Sequence, residues 1–179
     1  MKKILLLLLT CCFVTIASAQ LQIGLHGSWN RVDLNLENIS SSPHSGSSYG
    51  VYARIGSRFY LEPSLNYTVN KVKIQGSTVK FKTADIPLLV GYKLINLSPV
   101  GLRIFAGPEF SFAVDKFKSV FDSETYKYSK DLVWNIKAGA GLDLLRFSLN
   151  VYYKYSLNKP GNNIKRISGV VLELGIRIF

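Results

Sequence analysis

Hydrophobic and polar residues alternate along most of this chain, most clearly in residues 146–157, RFSLNVYYKYSL. Successive side chains of a β-strand point to opposite faces, so this segment has one apolar, aromatic face and one polar face. On a helix the same apolar residues would scatter around the whole circumference. The pattern therefore predicts a strand, whose apolar face would meet either the core of a soluble sandwich or the lipid around a membrane barrel.

Seven other segments alternate in the same way, which predicts eight strands in total. The predicted strands cover residues 21–30, 49–55, 59–69, 78–94, 102–114, 132–144, 146–157 and 170–178. In the third strand, Pro63 has no N–H for the hydrogen-bond ladder, so we expect it to mark a β-bulge.

The connections between the predicted strands distinguish the two architectures. They alternate between long polar segments and tight turns, beginning with a long one. A soluble sandwich has no reason to sort its connections in this way, whereas an outer-membrane barrel has long extracellular loops and tight periplasmic turns. The predicted fold is all-β, an eight-stranded antiparallel up-and-down transmembrane β-barrel. Aromatic residues also lie toward the ends of the apolar stripes, as interfacial girdles do: Trp29, Tyr49, Tyr67, Tyr92, Trp134, Tyr153 and Tyr155.

The first nineteen residues have the pattern of a secretory signal peptide. Lys2 and Lys3 precede an apolar run over residues 4–16, and small residues follow at 17–19. We therefore expect a signal peptide at 1–19, a barrel domain at 20–179 and export to the outer membrane. Both cysteines, Cys11 and Cys12, lie inside this segment, so a mature chain would have no thiol. An acylated lipoprotein is the less favoured alternative, because the apolar run continues past both cysteines.

The formal net charge is +11 at pH 7, and removal of Lys2 and Lys3 would lower it to +9. A basic exported protein is expected to meet anionic partners, and we expect these to be lipopolysaccharide rather than nucleic acid. An adhesive or partner-docking surface is the alternative. The basic and aromatic residues that we assign to surface loops are Lys71, Lys73, Lys116, Lys118, Lys127, Lys130, Tyr126 and Tyr128.

The polar faces of the strands would line the interior of the barrel. An eight-stranded barrel is just wide enough for side chains to fill it, and buried charges must be paired. We therefore predict a lumen plugged by ion pairs, with a narrow channel or small-ligand transporter as the alternative. The predicted network has five cations and four acids: Arg54, Arg103, Lys137, Lys154 and Arg177 with Glu62, Glu109, Asp143 and Glu173.

Three local patterns suggest other chemistry, but none is favoured. His26 and Ser28 have the His-x-Ser spacing that outer-membrane lipid A deacylases use, yet their face should point into the lumen, away from lipid. Gly139 and Gly141 resemble the start of a nucleotide loop, but we predict that they make room for large neighbours. His44 has no second metal ligand nearby in its loop. We therefore predict no catalysis, no metal and no cofactor.

Four motifs follow one another along the predicted strands: Glu62-Pro63 with Tyr67, Ile86-Pro87-Leu88-Leu89, Ala106-Gly107-Pro108, and Gly139 with Gly141. In this order they resemble the PorT-like outer-membrane β-barrel family, common in Bacteroidota. The resemblance implies a small outer-membrane barrel and supplies no catalytic residues, and we expect the barrel to be a monomer. Because one member takes part in secretion and gliding, it leaves open a protein partner at the surface or in a secretion system.

The C-terminal residue departs from the usual outer-membrane pattern. Such barrels commonly end in an aromatic residue that the assembly machinery reads, and Phe179 would serve here. However, the hydrophobic phase falls on Leu174, Ile176 and Ile178, one position out of step with Phe179. We therefore expect the Phe179 side chain to point inward or to be displaced by a kink.

Overall fold

A computed structural model of the chain describes residues 20–36, 44–74, 77–97, 99–114, 132–158 and 164–179. The predicted signal peptide, residues 1–19, lies outside these ranges. Within them no helix is long and apolar enough to cross a membrane. The described residues form eight strands: β1 (Leu21–Leu36), β2 (His44–Gly56), β3 (Phe59–Ile74), β4 (Ser77–Leu97), β5 (Val100–Ala113), β6 (Val133–Leu144), β7 (Phe147–Ser156) and β8 (Ile164–Arg177).

Each strand pairs antiparallel with the next, and β8 pairs with β1, so the sheet closes into a barrel. The predicted fold class is confirmed. We call the end that carries the connections 57–58, 98–99 and 145–146 the turn end, and the opposite end the loop end. His44, which was expected in a loop, is the first residue of β2.

The β3–β4 connection corrects the sequence-based assignment of Lys71 and Lys73 to a surface loop. Both residues lie within β3, where Lys71 pairs with Lys80 and Lys73 pairs with Thr78. Only residues 75 and 76 separate the two strands, so this loop-end connection is short and breaks the predicted alternation of long and short. The lysines were misleading because the β-branched residues Val72 and Ile74, which favour strands, alternate with them and carry the pattern onward. The other predicted loop residues, Lys116, Lys118, Lys127, Lys130, Tyr126 and Tyr128, lie outside the described residues.

The bulge predicted at Pro63 is wrong. The β2–β3 register is the same on both sides of Pro63, from the pair Tyr52–Ser64 to the pair Ile55–Leu61. The pairing of β2 and β3 is interrupted near Pro63, but neither strand has an extra residue there. A true register shift occurs in β4 between Lys93 and Ile95, close to the turn end.

The outward face of every strand exposes large apolar side chains, as predicted from the alternation. Two groups of aromatic contacts lie on this face. Near the loop end, the Tyr49 and Tyr67 rings stack at 6.4 Å, and Phe110 meets Trp134 edge-on at 4.7 Å. Near the turn end, Phe59 contacts Tyr92 at 4.7 Å. The outside of this barrel is therefore apolar, with aromatic groups toward both ends.

Glycines on the inner face make room for large neighbouring residues, as predicted. A Cβ added to Gly24 would collide with the ring of Tyr52, and one added to Gly139 would collide with the backbone of Tyr152. The Gly139–Gly141 pair thus serves interior packing on a strand, and no helix follows it.

The chain ends in a kink. The backbone N–H groups of Ile178 and Phe179 both donate to the carbonyl of Ile23, at 2.8 and 3.1 Å. Two residues therefore oppose one, which is the arrangement of a β-bulge. Phe179 is 74% exposed, so its side chain does not point into the barrel. Of the two expectations, the structure therefore shows displacement of the side chain by a kink.

Candidate functional site: the charged interior of the barrel

A cluster of four charged side chains lies inside the barrel toward the turn end. We call Arg54, Arg103, Glu62 and Asp143 the arginine cluster. Arg54 Nε donates to Glu62 Oε2 at 2.6 Å, and Arg54 Nη1 donates to Asp143 Oδ2 at 3.4 Å. Arg103 Nε donates to both oxygens of Asp143 at 3.2 Å. The two guanidinium groups are therefore neutralised by two carboxylates contributed by different strands.

The remaining donors of Arg103 also have partners. Its Nη1 donates to Tyr60 Oη at 3.1 Å, and its Nη2 donates to Asn150 Oδ1 at 2.6 Å. Aromatic rings cover the cations, with the Arg54 Cζ 5.0 Å from the Tyr60 ring and the Arg103 Cζ 5.3 Å from the Phe105 ring. Arginine suits this position because its flat group can both form several hydrogen bonds and stack on rings.

A second group, the lysine cluster, consists of Glu109, Lys137 and Lys154. Glu109 is fully buried, and its carboxylate pairs with the Lys137 ammonium through Oε2 and with the Lys154 ammonium through Oε1, the latter at 2.5 Å. Asn135 Nδ2 also donates to Glu109 Oε1, at 3.3 Å. One carboxylate thus holds two cations in the interior.

Asn150 and Tyr152 connect the two clusters. Asn150, which accepts from Arg103, donates through Nδ2 to Glu173 Oε1 at 2.8 Å. The Tyr152 hydroxyl donates to Glu173 Oε2 at 3.3 Å and accepts from Lys137 Nζ at 3.5 Å. A continuous set of polar contacts therefore crosses the lumen from one cluster to the other.

Little space remains between the clusters. A cavity of about 10 Å³ lies there, lined in part by Glu62, Phe105 and Lys137. This is room for about one water molecule. The interior at this level is occupied by side chains.

Of the nine residues predicted to form the lumen network, eight contribute to these contacts. The ninth, Arg177, lies at the turn end, where its Nη2 donates to the Leu145 carbonyl at 2.9 Å. The prediction missed two inward charges on β4. Asp85 is buried and accepts from Thr68 Oγ1 at 2.6 Å, and Lys93 is buried near the turn end. Asp85 and Lys93 occupy the same every-second-position series along β4 as Pro87, Leu89 and Gly91. This period of two was the signal that could have identified both as inward residues.

His26 and Ser28 are both buried inside the barrel. His26 Nε2 lies 2.6 Å from Asn66 Oδ1, and its Nδ1 lies 3.6 Å from Glu173 Oε1. The Ser28 hydroxyl bonds that of Ser48 at 2.5 Å. The pair therefore belongs to the interior network. An enzyme that acts on the surrounding lipid would require these two side chains to face outward, and they do not.

The model of the family described as "Outer membrane protein beta-barrel domain" matches residues 17–160. No curated protein matches the chain. The structure is similar to that of the outer membrane enzyme PagL, with a TM-score of 0.59 and 13% identity over 86% of this chain and 98% of that one.

Two further solved barrels are similar. Ail, the attachment invasion locus protein of Yersinia pestis, gives a TM-score of 0.51 at 17% identity, covering 88% of this chain and 97% of that one. Neisserial surface protein A gives a TM-score of 0.50 at 17% identity, covering 89% of this chain and 98% of that one. At these identities the likeness shows the fold.

Proposed function

Because this chain belongs to the family of outer membrane protein β-barrel domains, we propose that it is an integral barrel of structural and interaction type, without catalysis. In this proposal the lumen is closed by its own side chains and the loop end meets other molecules. We also propose export by a signal peptide at 1–19, and a place in the PorT-like branch of the family on the motifs quoted above.

The observation that carries the proposal is the polar network across the lumen. The side chains of Arg103 and Glu109 are almost completely buried, and both have charged partners. Opening a water-filled path would separate these pairs or move them to the wall. Breaking a buried ion pair by removing one partner typically costs about 3–5 kcal/mol. The network therefore favours a closed barrel over the alternative of a narrow channel.

Conductance measurements test the closed lumen. We expect the purified barrel, reconstituted in a planar lipid bilayer, to give no unitary current steps at moderate voltage. The conductance of a known small porin in the same bilayer is the positive control. Reproducible steps from the barrel, absent in protein-free bilayers, would favour the channel alternative.

For the loop end we propose contact with the phosphate groups of lipopolysaccharide. The support is the basic charge of the chain and the lysines predicted for residues 115–131. The test compares binding to vesicles that contain lipid A with binding to vesicles that contain dephosphorylated lipid A. We expect a clear preference for the phosphorylated form, reduced when Lys116, Lys118, Lys127 and Lys130 are replaced by Gln. Equal binding would favour the alternative, a protein partner at the surface or in a secretion system, which crosslinking in intact membranes would capture.

A further inference from the structure

A polar cavity of about 330 Å³ opens at the turn end of the barrel, and we call it the vestibule. The arginine cluster contributes Asp143 to its wall. The cavity is far larger than the space between the two clusters, so small molecules can enter it. Its lining includes three cations and one acid: Lys93, Arg146, Arg177 and Asp143.

Lys93 is the unusual member of this lining. The residue is only 6% exposed, and its side chain lines the vestibule. The β4 register shift follows it directly, and Leu94 and Ile95 are both exposed on the outside. Lys93 is thus the last inward side chain of β4 before the register shift, and it faces the vestibule.

The charged groups near Lys93 include Arg54, Arg103, Arg177 and Asp143. Three of the four are cations. Asp143, the single acid, already accepts hydrogen bonds from Arg54 and Arg103. Lys93 therefore lies in a region of excess positive charge, which an anion bound in the vestibule would offset.

We infer that the vestibule binds a phosphate group, held by Lys93 and Arg177. The lining residues sum to +2, from three cations and one acid, and a phosphate monoester carries about −1.5 to −2 at neutral pH. Charge-assisted hydrogen bonds from ammonium and guanidinium groups to phosphate oxygens are strong. The ligand class is a phosphate oxyanion, either free or on a lipid headgroup.

Calorimetric titration of the folded full chain in a non-ionic detergent, at low salt, tests the inference. We expect inorganic phosphate to bind, and Lys93→Gln to weaken the affinity at least tenfold. Arg58→Gln is the matched control, because Arg58 is an exposed cation at the same end, outside the vestibule. This variant should keep the wild-type affinity. Arg177→Gln removes the second proposed contact with the phosphate and should also weaken the affinity. This variant provides the test if Lys93→Gln does not fold.

A parallel titration with short-chain phosphatidylglycerol distinguishes the two phosphate sources. If this lipid binds more tightly than inorganic phosphate, and Lys93→Gln weakens both, the site takes a lipid headgroup. If only inorganic phosphate binds, the site takes the free anion. The inference is overturned if neither ligand binds, if Lys93→Gln binds as the wild type does, or if Arg58→Gln loses as much affinity as Lys93→Gln.

Discussion

Arg54 Nε and Glu62 Oε2 lie 2.6 Å apart inside the barrel, and both side chains are buried. The two residues lie near one another in sequence, on β2 and β3, so the turn at 57–58 brings them together. Glu62 is also 3.9 Å from Arg103 Nη1. One carboxylate thus serves two arginines.

Glu62→Gln should destabilise the barrel by about 3–5 kcal/mol, because it leaves buried guanidinium charge without its partner. Urea unfolding in lipid vesicles measures the loss. The double variant Glu62→Leu with Arg54→Met should recover most of the stability, because a pair replaced by apolar groups leaves no uncompensated charge. If the double variant is no more stable than Glu62→Gln, charge pairing is not the main contribution of these residues.

Glu109→Gln should be similarly destabilising, because two ammonium groups would lose their shared carboxylate. Adding Lys154→Met should restore part of the lost stability, since it removes one of the two stranded cations. The free energies of unfolding of the wild type, both single variants and the double variant form a cycle that measures the coupling. Additive effects would contradict direct pairing.

Gly139→Ala should lower folding yield, because its Cβ would meet the backbone of β7 at Val151 and Tyr152. Overpacking of this kind typically costs about 1–3 kcal/mol. Gly27→Ala is the control, since its Cβ would have only an ordinary contact, 3.9 Å from the Ser48 carbonyl. The fraction of protein that migrates as a folded barrel on an unboiled gel reports the outcome. Equal yields for the two variants would contradict the packing argument.

A charge on the outward face should cost more at mid-height than at an end. Val151, in the middle of β7, is exposed on this face, and Val100 begins β5 at the turn end. We expect Val151→Arg to cost about 2–4 kcal/mol and Val100→Arg about 0–1 kcal/mol in vesicles. Two equal costs would mean that the apolar face does not span the hydrocarbon layer.

The alternation of residues was sufficient to predict the strand number, the closure and the inward phase, because a barrel repeats one rule on every strand. It was least reliable where that rule is modified locally. Lys71 and Lys73 were placed in a loop on their charge, although charged residues can also extend a hairpin. The alternation of β4 could have identified Lys93 as an inward residue, but its place in the vestibule depends on a β-bulge and on charges from other strands. Neither feature is visible in the β4 sequence alone.

The seam between β1 and β8 has a consequence for assembly. It pairs Gly24 with Arg177, so the barrel closes only when residues more than 150 positions apart in the sequence have met. His26 on β1 and Glu173 on β8 face each other across this seam. Contacts between distant parts of a chain form slowly because of the entropy of loop closure. We therefore expect closure of this seam to be the late, rate-limiting event of folding, and until then the acidic and basic groups of the interior remain open to water.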